Sequence, residues 1–250
     1  MKNRGLAFFL CAALLCALWV PLIPAASAAD IADSGTCGEN LTWTLDSEGT
    51  LTISGSGEMG YTSWSSAVKA SIKNVVIEDG VTNIGDSAFI GCSALTNITI
   101  PDSVTSIGNS AFNGCTGLTS ITIGNGVESI GDYAFNYCTS LKSITLPDSV
   151  PSIGSHAFDH HTITTVYLSS VESWINFWNK AITVYGGRKL TLYLNGELLT
   201  DLVIPEGITN IGRQAFYGCT GLMSITIPDS VTSIGNSAFE GCTALTSIRI

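Results

Sequence analysis

A unit of 23 residues repeats along most of this chain, and few folds accommodate such a period. The unit is easiest to follow at its phenylalanines, which are spaced 23 apart in two groups: Phe89, Phe112, Phe135 and Phe158, and then Phe216 and Phe239. The flanking residues recur with them, as IGDSAFIGCSALTNITIPDSVTS from Ile84 and IGNSAFNGCTGLTSITIGNGVES from Ile107. One unit cannot bury its apolar side chains alone, but stacked neighbours can, so the sequence predicts a solenoid.

Each unit carries the pattern L-x-x-I-x-I, as at Leu95, Ile98 and Ile100, which is the strand signature of leucine-rich repeats. Pro101-Asp102 then supplies a turn, and Ala-Phe-x-Gly-Cys indicates a short helical turn. Gly and β-branched residues are too frequent for long helices. We therefore predict a leucine-rich-repeat solenoid, mostly β with short helical turns, whose rungs lie about 4.8 Å apart.

The period and its interruptions divide the chain into five segments: a signal peptide (1–28), an N-terminal lead-in (29–71), repeats (72–168), one irregular, elongated rung (169–199) and further repeats (200–250). In the lead-in, residues 41–45 and 51–53 alternate at period two, which predicts a β-hairpin that caps the first rung. Since the chain stops at Ile250 directly after a strand, we expect this sequence to be a fragment or a gene cut short.

The irregular rung interrupts the period after Phe158. We expect a short helix beginning at Val171 and a strand at 189–194. Asn195-Gly196 is a hairpin turn signal and follows that strand.

The N-terminal segment has the organisation of a secretory signal peptide. Lys2 and Arg4 precede an uncharged apolar run, and Ala26-Ser27-Ala28 supplies the small residues of a cleavage site. The run is short for a membrane span. We therefore predict a secreted or surface-displayed protein with no membrane span after cleavage.

The charge balance excludes one class of partner. Ten Lys and Arg stand against twenty Asp and Glu, for a net charge of −10, and losing Lys2 and Arg4 would make it −12. A chain without a basic face cannot neutralise phosphates, so we expect no nucleic-acid partner.

The unit IG-x-x-AF-x-GC-x-x-L-x-S-I-x-IP-x-x-V resembles the BspA-type leucine-rich repeat family of secreted bacterial proteins, over roughly residues 72–250. The stretch GTCGENLTWTLDSEGTLTISGSGEM, residues 35–59, is similar to the lead-in that often precedes such repeats. The resemblance implies a cell-surface or secreted recognition protein, and some family members are adhesins. It does not fix a ligand, because repeat folds host many partners.

The cysteines recur in the repeat register. Beyond the signal peptide they are Cys37, Cys92, Cys115, Cys138, Cys219 and Cys242. An even number in a secreted protein suggests disulfides. Stacked in one slot, however, their Cβ vectors would be parallel, which leaves the Cβ atoms farther apart than a disulfide prefers. We favour buried free thiols.

Two residue clusters invite a metal-site interpretation. His156, His160 and His161 lie near Asp159, but no long helix is expected there to present them as zinc ligands. A row of turn residues could bind calcium, although such residues more often serve the turn itself: Asp79, Asp102, Asn125, Asp148, Glu206 and Asp229. We predict no metal, no cofactor and no catalytic residues, since no nucleophile motif or paired carboxylates can be singled out.

The x positions of the strands should face outward and form a rigid, nearly uncharged, hydroxyl-rich surface. Solenoids use such surfaces for binding, although Thr also serves strand propensity. The candidate binding residues on this face are Thr96, Asn97, Thr99, Thr119, Ser120, Thr122, Lys142, Ser143, Thr145, Thr226 and Arg249.

Aromatic residues concentrate in the irregular rung. Trp174, Trp178 and Tyr185 form a second, weaker set of candidate ligand-binding residues. The interpretation we favour is that these aromatics fill the gap left by the broken rung.

These features favour a non-catalytic, adhesin-like protein that binds a host protein or glycan through its repeat surface. One alternative is a targeting module of a larger secreted enzyme whose catalytic domain lies beyond residue 250. Another is a structural spacer.

Overall fold

The protein is described here by a computed structural model that covers residues 31–60, 62, 64–147, 152–159, 162–181 and 189–250. Its elements follow in chain order. They are β1 (Ile31–Thr36), β2 (Leu41–Asp46), β3 (Thr50–Gly55), α1 (Ser66–Ser71), β4 (Asn74–Ile77), β5 (Asn83–Ile84), β6 (Asn97–Ile100), β7 (Ser106–Ile107), β8 (Ser120–Ile123), β9 (Ser129–Ile130), β10 (Ser143–Thr145), β11 (Ser152–Ile153), β12 (Thr165–Leu168), α2 (Val171–Ala181), β13 (Thr191–Leu194), β14 (Glu197–Leu198), β15 (Asp201–Val203), β16 (Asn210–Ile211), β17 (Ser224–Thr226), β18 (Ser233–Ile234) and β19 (Ser247–Arg249).

A ten-stranded sheet forms one side of the solenoid, in the order β1-β2-β3-β4-β6-β8-β10-β12-β13-β14. The strands from β3 to β13 pair in parallel, one per rung, as the leucine-rich repeat pattern predicts. Within β6, Ile98 and Ile100 are buried, whereas Asn97 and Thr99 are exposed. This alternation confirms the predicted division of each strand into a core side and an outer side.

A second ladder of two-residue strands runs along another side of the rungs, in the order β11-β9-β7-β5. Each of these strands is the Ser-Ile or Asn-Ile step that precedes the repeated Gly. The isoleucines at 84, 107 and 130 are buried there. The two ladders enclose the core between them.

The core is a stack of identical side chains, because each rung places the same residue in the same slot. The rings of Phe89 and Phe112 lie 5.1 Å apart at an interplanar angle of 10°, and Phe135 and Phe158 continue the stack at the same spacing. Offset contact between aromatic faces is favourable beyond the burial of area. The predicted stacked array is confirmed.

Side-chain oxygens link the rungs at the turn after the short strands. The N–H of Asn109 donates to Oδ1 of Asp86 at 2.7 Å, and the N–H of Asp132 donates to Oδ1 of Asn109 at 2.9 Å. The repeated Gly makes this approach possible, since a Cβ at Gly131 would lie 2.6 Å from the backbone nitrogen of Asn109.

The expected short helical turns are present as hydrogen-bonded turns that do not extend into helices. Ala88 and Cys92 donate to the carbonyls three residues before them, Gly85 and Phe89. A left-handed residue, Ser87 with φ 57°, prevents these turns from joining into a helix. The described residues therefore contain hydrogen-bonded turns at these positions, and their two helices, α1 and α2, lie outside the regular rungs.

The N-terminal cap is larger than predicted. The β2–β3 hairpin confirms the expected pair of strands, and β1 adds a third antiparallel strand on its outer edge. The sequence of β1, IADSGT, lacks the period-two alternation that would have indicated a strand. β3 then pairs in parallel with β4, which joins the cap to the first rung.

The elongated rung consists of α2 and β13, and β13 pairs in register with β12. Asn195 and Gly196 adopt positive φ and connect β13 to the antiparallel β14, so the expected helix, strand and hairpin turn are confirmed. The later rungs form their own sheets, β15-β17-β19 and β16-β18. Neither α1 nor α2, the two helices of the described residues, has the length and hydrophobicity of a membrane-spanning helix; the proposed signal peptide lies outside those residues.

Candidate binding surface

The outer face of the ten-stranded sheet carries two columns of side chains, aligned by the parallel register. The first column contains Asn97, Ser120 and Ser143, and the second contains Thr99, Thr122 and Thr145. Both columns are exposed or half-buried, so the structure places these predicted binding residues on the solvent side of the strands. We call Thr99, Thr122 and Thr145 the threonine column.

The hydroxyl of Ser120 in the first column, and those of Thr96 and Thr119 just before the strands, bond within the protein. Ser120 donates to Oδ1 of Asn97 at 3.0 Å, and Thr119 donates to the carbonyl of Thr96 at 3.0 Å. Thr96 in turn lies 3.4 Å from the carbonyl of Lys73. These predicted residues therefore tie one rung to the next.

The hydroxyls of the threonine column are not bonded in this way to any described residue. Within the part of the chain that the structure describes, no hydrogen bond engages the hydroxyls of Thr99, Thr122 or Thr145. They line an open groove of about 530 Å³ along the carboxyl ends of β6, β8 and β10. Their hydroxyl groups can meet a ligand without first breaking a bond inside the protein.

A second groove, of about 500 Å³, lies beside β4 and shares Thr99 and Pro101 with the first. The ladder between β4 and β6 spans only two residue pairs, Asn74–Asn97 and Val75–Ile98. The two grooves together give the outer face an extended depression rather than a flat surface.

Other members of the predicted set lie apart from the groove. Lys142 is exposed just before β10 and does not line it. Thr226 and Arg249 lie next to each other on β17 and β19, in the separate three-stranded sheet. The predicted set is thus divided between two sheets.

Two tyrosines, Tyr167 and Tyr193, continue the threonine column, and Tyr167 is not among the predicted binding residues. Thr145 pairs with Tyr167, and Tyr167 pairs with Tyr193. Their rings stack with centroids 5.1 Å apart, and Tyr167 is 40% exposed and lines the groove. The repeat pattern itself contains a signal for Tyr167, since it occupies an outward x position within the short copy at 153–168.

The aromatic set in the elongated rung requires a correction. Trp174 is 2% exposed and donates its indole N–H to the carbonyl of Ala215 at 3.0 Å, so it cannot contact a ligand. Trp178 is half-buried and donates to the carbonyl of Arg213 at 2.8 Å. Their packing agrees with the gap-filling interpretation. Tyr185 lies outside the described residues.

The six cysteines among the described residues are free thiols, as predicted, and all but Cys242 are buried. Cys115 donates to the carbonyl of Phe89 at 3.1 Å, and Cys138 donates to that of Phe112 at 3.3 Å. Burial raises the pKa of Cys92 and of Cys138 to about 12 and that of Cys37 to about 11. A thiol with so high a pKa is a poor nucleophile at neutral pH.

The residues considered for metals are engaged in local structure. His156 forms a 2.6 Å contact between its Nδ1 and Oδ2 of Asp159, and its ring stacks on that of Tyr133. Oδ1 of Asp102 accepts the N–H of Asn125 at 2.7 Å, which supports the turn interpretation of this carboxylate. His160, His161 and Asp148 lie outside the described residues. Among the described residues, no group of three or more His, Cys, Asp or Glu could hold a metal ion.

Comparison with known proteins gives a family match. The family model for the BspA type leucine rich repeat region matches residues 65–179 and 192–250, in six copies. No curated protein matches the chain.

Solved structures give a second comparison. A leucine-rich repeat protein from Eubacterium ventriosum is 24% identical, with a TM-score of 0.51, and the match covers 87% of this chain and 72% of that one. A leucine rich cell surface protein from Faecalibacterium prausnitzii is 26% identical, with a TM-score of 0.37, and coverages of 89% and 78%. The T. pallidum leucine rich repeat protein is 23% identical, with a TM-score of 0.41, and coverages of 88% and 90%. The likeness to the Eubacterium ventriosum protein shows the fold.

Proposed function

This chain belongs to the BspA type leucine-rich repeat family, and from that premise we propose that it is a secreted or cell-surface recognition protein. It binds an extracellular protein or glycan, in the manner of an adhesin, through the outer face of its ten-stranded sheet. The signal-peptide features of residues 1–28 support export.

One observation carries the proposal. The hydroxyls of neighbouring outward residues, such as Thr119 and Ser120, bond within the protein, whereas those of the threonine column line a groove and bond to no described residue. Thr favours β-strands, which is one reason for its presence in this column. Strand propensity does not, however, require the open groove above these residues. A rigid row of accessible hydroxyls suits recognition because little side-chain ordering remains to be done on binding.

A non-catalytic role is part of the proposal. The repeated thiols are buried except for the half-buried Cys242, and the His156–Asp159 pair is the one ion pair among the described residues. The groove residues are hydroxyl, amide and apolar side chains with a single carboxylate, Asp102. That set can hold a ligand but offers no paired acid and base for hydrolysis.

A binding screen tests the proposal. The purified chain would be applied to immobilised matrix proteins, mucins and polysaccharides, beside a variant carrying Thr99→Lys, Thr122→Lys and Thr145→Lys. We expect binding to at least one surface, and its loss in the variant. Absence of binding to every surface, or equal binding by the variant, would contradict the proposal and favour a structural spacer.

A further inference from the structure

Tyr167 closes one end of the threonine groove. The column runs Thr99, Thr122, Thr145, Tyr167, in register, so the short side chains of three rungs give way to a long aromatic one. Beyond it, Tyr193 stacks on Tyr167 at 5.1 Å and an interplanar angle of 24°. Tyr193 therefore backs one face of the Tyr167 ring and fixes its orientation.

The other face of the Tyr167 ring is turned toward the groove. The rings stack along the direction in which the rungs stack, so the neighbour on the opposite side is Thr145. A threonine side chain is too short to cover a tyrosine ring. Tyr167 accordingly lines the groove, whereas Tyr193, on the far side, does not.

The remaining walls combine polar and apolar residues with one carboxylate. Pro101 and Asp102 follow β6, Gly124 and Asn125 follow β8, and the Asn195-Gly196 turn closes the end beside Tyr167. The volume of about 530 Å³ lies within the range of small-ligand sites, roughly 300–1,000 Å³. The threonine column supplies hydroxyls, Asn125 and Asp102 supply an amide and a carboxylate, and Tyr167 supplies an aromatic face.

The charge of the site narrows the chemistry of its ligand. No Lys or Arg lines the groove, Asp102 does line it, and the chain carries a net charge of −10. An anionic ligand would therefore be repelled. A neutral ring with an apolar C–H face and several hydroxyls fits both parts of the groove, since weakly positive C–H bonds meet the negative face of an aromatic ring.

We propose that this groove binds a neutral hexopyranose unit of a glycan, stacked on Tyr167, with its hydroxyls on Thr122 and Thr145. This inference rests on the proposed function and names its ligand class. An extended peptide is the competing occupant. A peptide would draw its affinity from main-chain pairing at a strand edge, whereas β8 and β10, which carry Thr122 and Thr145, are each paired on both sides.

The test is a calorimetric titration of the purified chain with cellotetraose, mannotetraose and galactotetraose, and with sialyllactose and a heparin tetrasaccharide as anionic probes. Tyr167→Thr installs the residue that the column carries in three other rungs. Its matched control is Tyr133→Ser, because Tyr133 is also exposed and stacked at 5.1 Å, on His156, and Ser occupies its slot at 87, 110 and 237.

We expect at least one neutral oligosaccharide to bind, with no binding of the anionic probes. Tyr167→Thr should weaken that binding about tenfold, and Tyr133→Ser should leave it within about twofold. If Tyr167→Thr fails to fold, Thr122→Lys in the same groove replaces it with the same expectation. Equal effects at Tyr167 and Tyr133, or preference for an anionic probe, would overturn the inference.

The inference can fail while the proposed function survives. A matrix protein that binds the chain and is lost in the triple lysine variant, with no response to any oligosaccharide, would reject the hexopyranose site and retain recognition by the outer face. Absence of binding to proteins and glycans alike would reject both.

Discussion

The indole N–H of Trp174 donates a 3.0 Å hydrogen bond to the carbonyl oxygen of Ala215. In a regular rung the equivalent carbonyl, that of Ala111, accepts the backbone N–H of Phe89 from the rung before it. α2 supplies no such backbone donor, so the indole takes its place. Trp64 donates in the same way to the equivalent carbonyl of Ala88, at the start of the first block. In each block of repeats, a tryptophan indole therefore donates to the carbonyl of the first alanine in this slot.

This relationship predicts the effect of Trp174→Phe. The substitution keeps an aromatic ring but leaves the buried carbonyl of Ala215 without a donor, which should lower the free energy of unfolding by about 1–3 kcal/mol. Trp178→Phe is the matched control, since Trp178 is half-buried and water can replace its bond to Arg213. Urea unfolding measures both, and equal losses would contradict the account.

The buried thiols predict how stability depends on pH. The pKa values of Cys92 and Cys138 rise from the ordinary 9.0 to about 12 on burial, so the folded state keeps protons that the unfolded state releases above pH 9. Their contribution is fully present below about pH 9 and is lost as the pH rises toward 12. The free energy of unfolding should therefore decline above pH 9.

The control for this prediction is the double variant Cys92→Ala/Cys138→Ala. Urea unfolding between pH 7.5 and 10.5 should show a shallower decline in the double variant than in the unchanged chain. Parallel declines would assign the pH dependence to other groups.

The repeated Gly that precedes Asp86, Asn109 and Asp132 predicts a steric effect. In Gly131→Ala the new Cβ would lie 2.6 Å from the backbone nitrogen of Asn109 and 2.7 Å from its Oδ1. We expect a loss of about 2–4 kcal/mol in the free energy of unfolding, because the neighbour is backbone and cannot move aside.

Gly221→Ala provides the comparison for Gly131. Its new Cβ would meet only Cδ1 of Leu198, at 3.8 Å, and should change stability by no more than about 0.5 kcal/mol. Thermal melting of the two variants checks the difference. A tolerated Gly131→Ala would show that the rungs can separate locally.

Two threonines of the same rung, Thr119 and Thr122, separate folding from recognition. Thr119 donates to the carbonyl of Thr96, so Thr119→Val should destabilise the fold by about 0.5–1 kcal/mol. Thr122 has no such partner among the described residues, so Thr122→Val should leave stability within about 0.5 kcal/mol and weaken ligand binding. Thermal melting and titration on both variants check this, and the reverse pattern would contradict it.

Much of the fold can be predicted from the sequence, because equivalent residues of successive repeats, 23 positions apart, contact each other. The Phe89–Phe112 stack and the burial of Cys92 are predictable from that identity alone. Contacts that cross the interruption after Phe158 are not predictable in this way. Tyr167 pairs with Tyr193 across 26 positions, and Trp174 reaches Ala215 across 41, so no period relates them.

The candidate site was predictable only in part, for a related reason. The pattern shows that Thr119 and Thr122 both lie on the exposed side of a rung, and the structure confirms it. It does not show which hydroxyl reaches a carbonyl of the rung before. That depends on where the strand begins, since Thr119 lies just before β8 and Thr122 lies within it.

The most direct test of the account compares two lysine triplets on the ligand that the screen identifies. One triplet is Thr99→Lys, Thr122→Lys and Thr145→Lys. The other is Thr116→Lys, Thr139→Lys and Thr243→Lys, which adds the same charge at exposed threonines of a different column, outside both grooves of the outer face. The measurement is the dissociation constant, with the melting temperature of each variant beside it.

We expect the first triplet to abolish binding and the second to bind like the unchanged chain, with similar melting temperatures for both. Equal binding by both triplets, or equal loss in both, would contradict the claim that recognition lies on the outer face of the sheet.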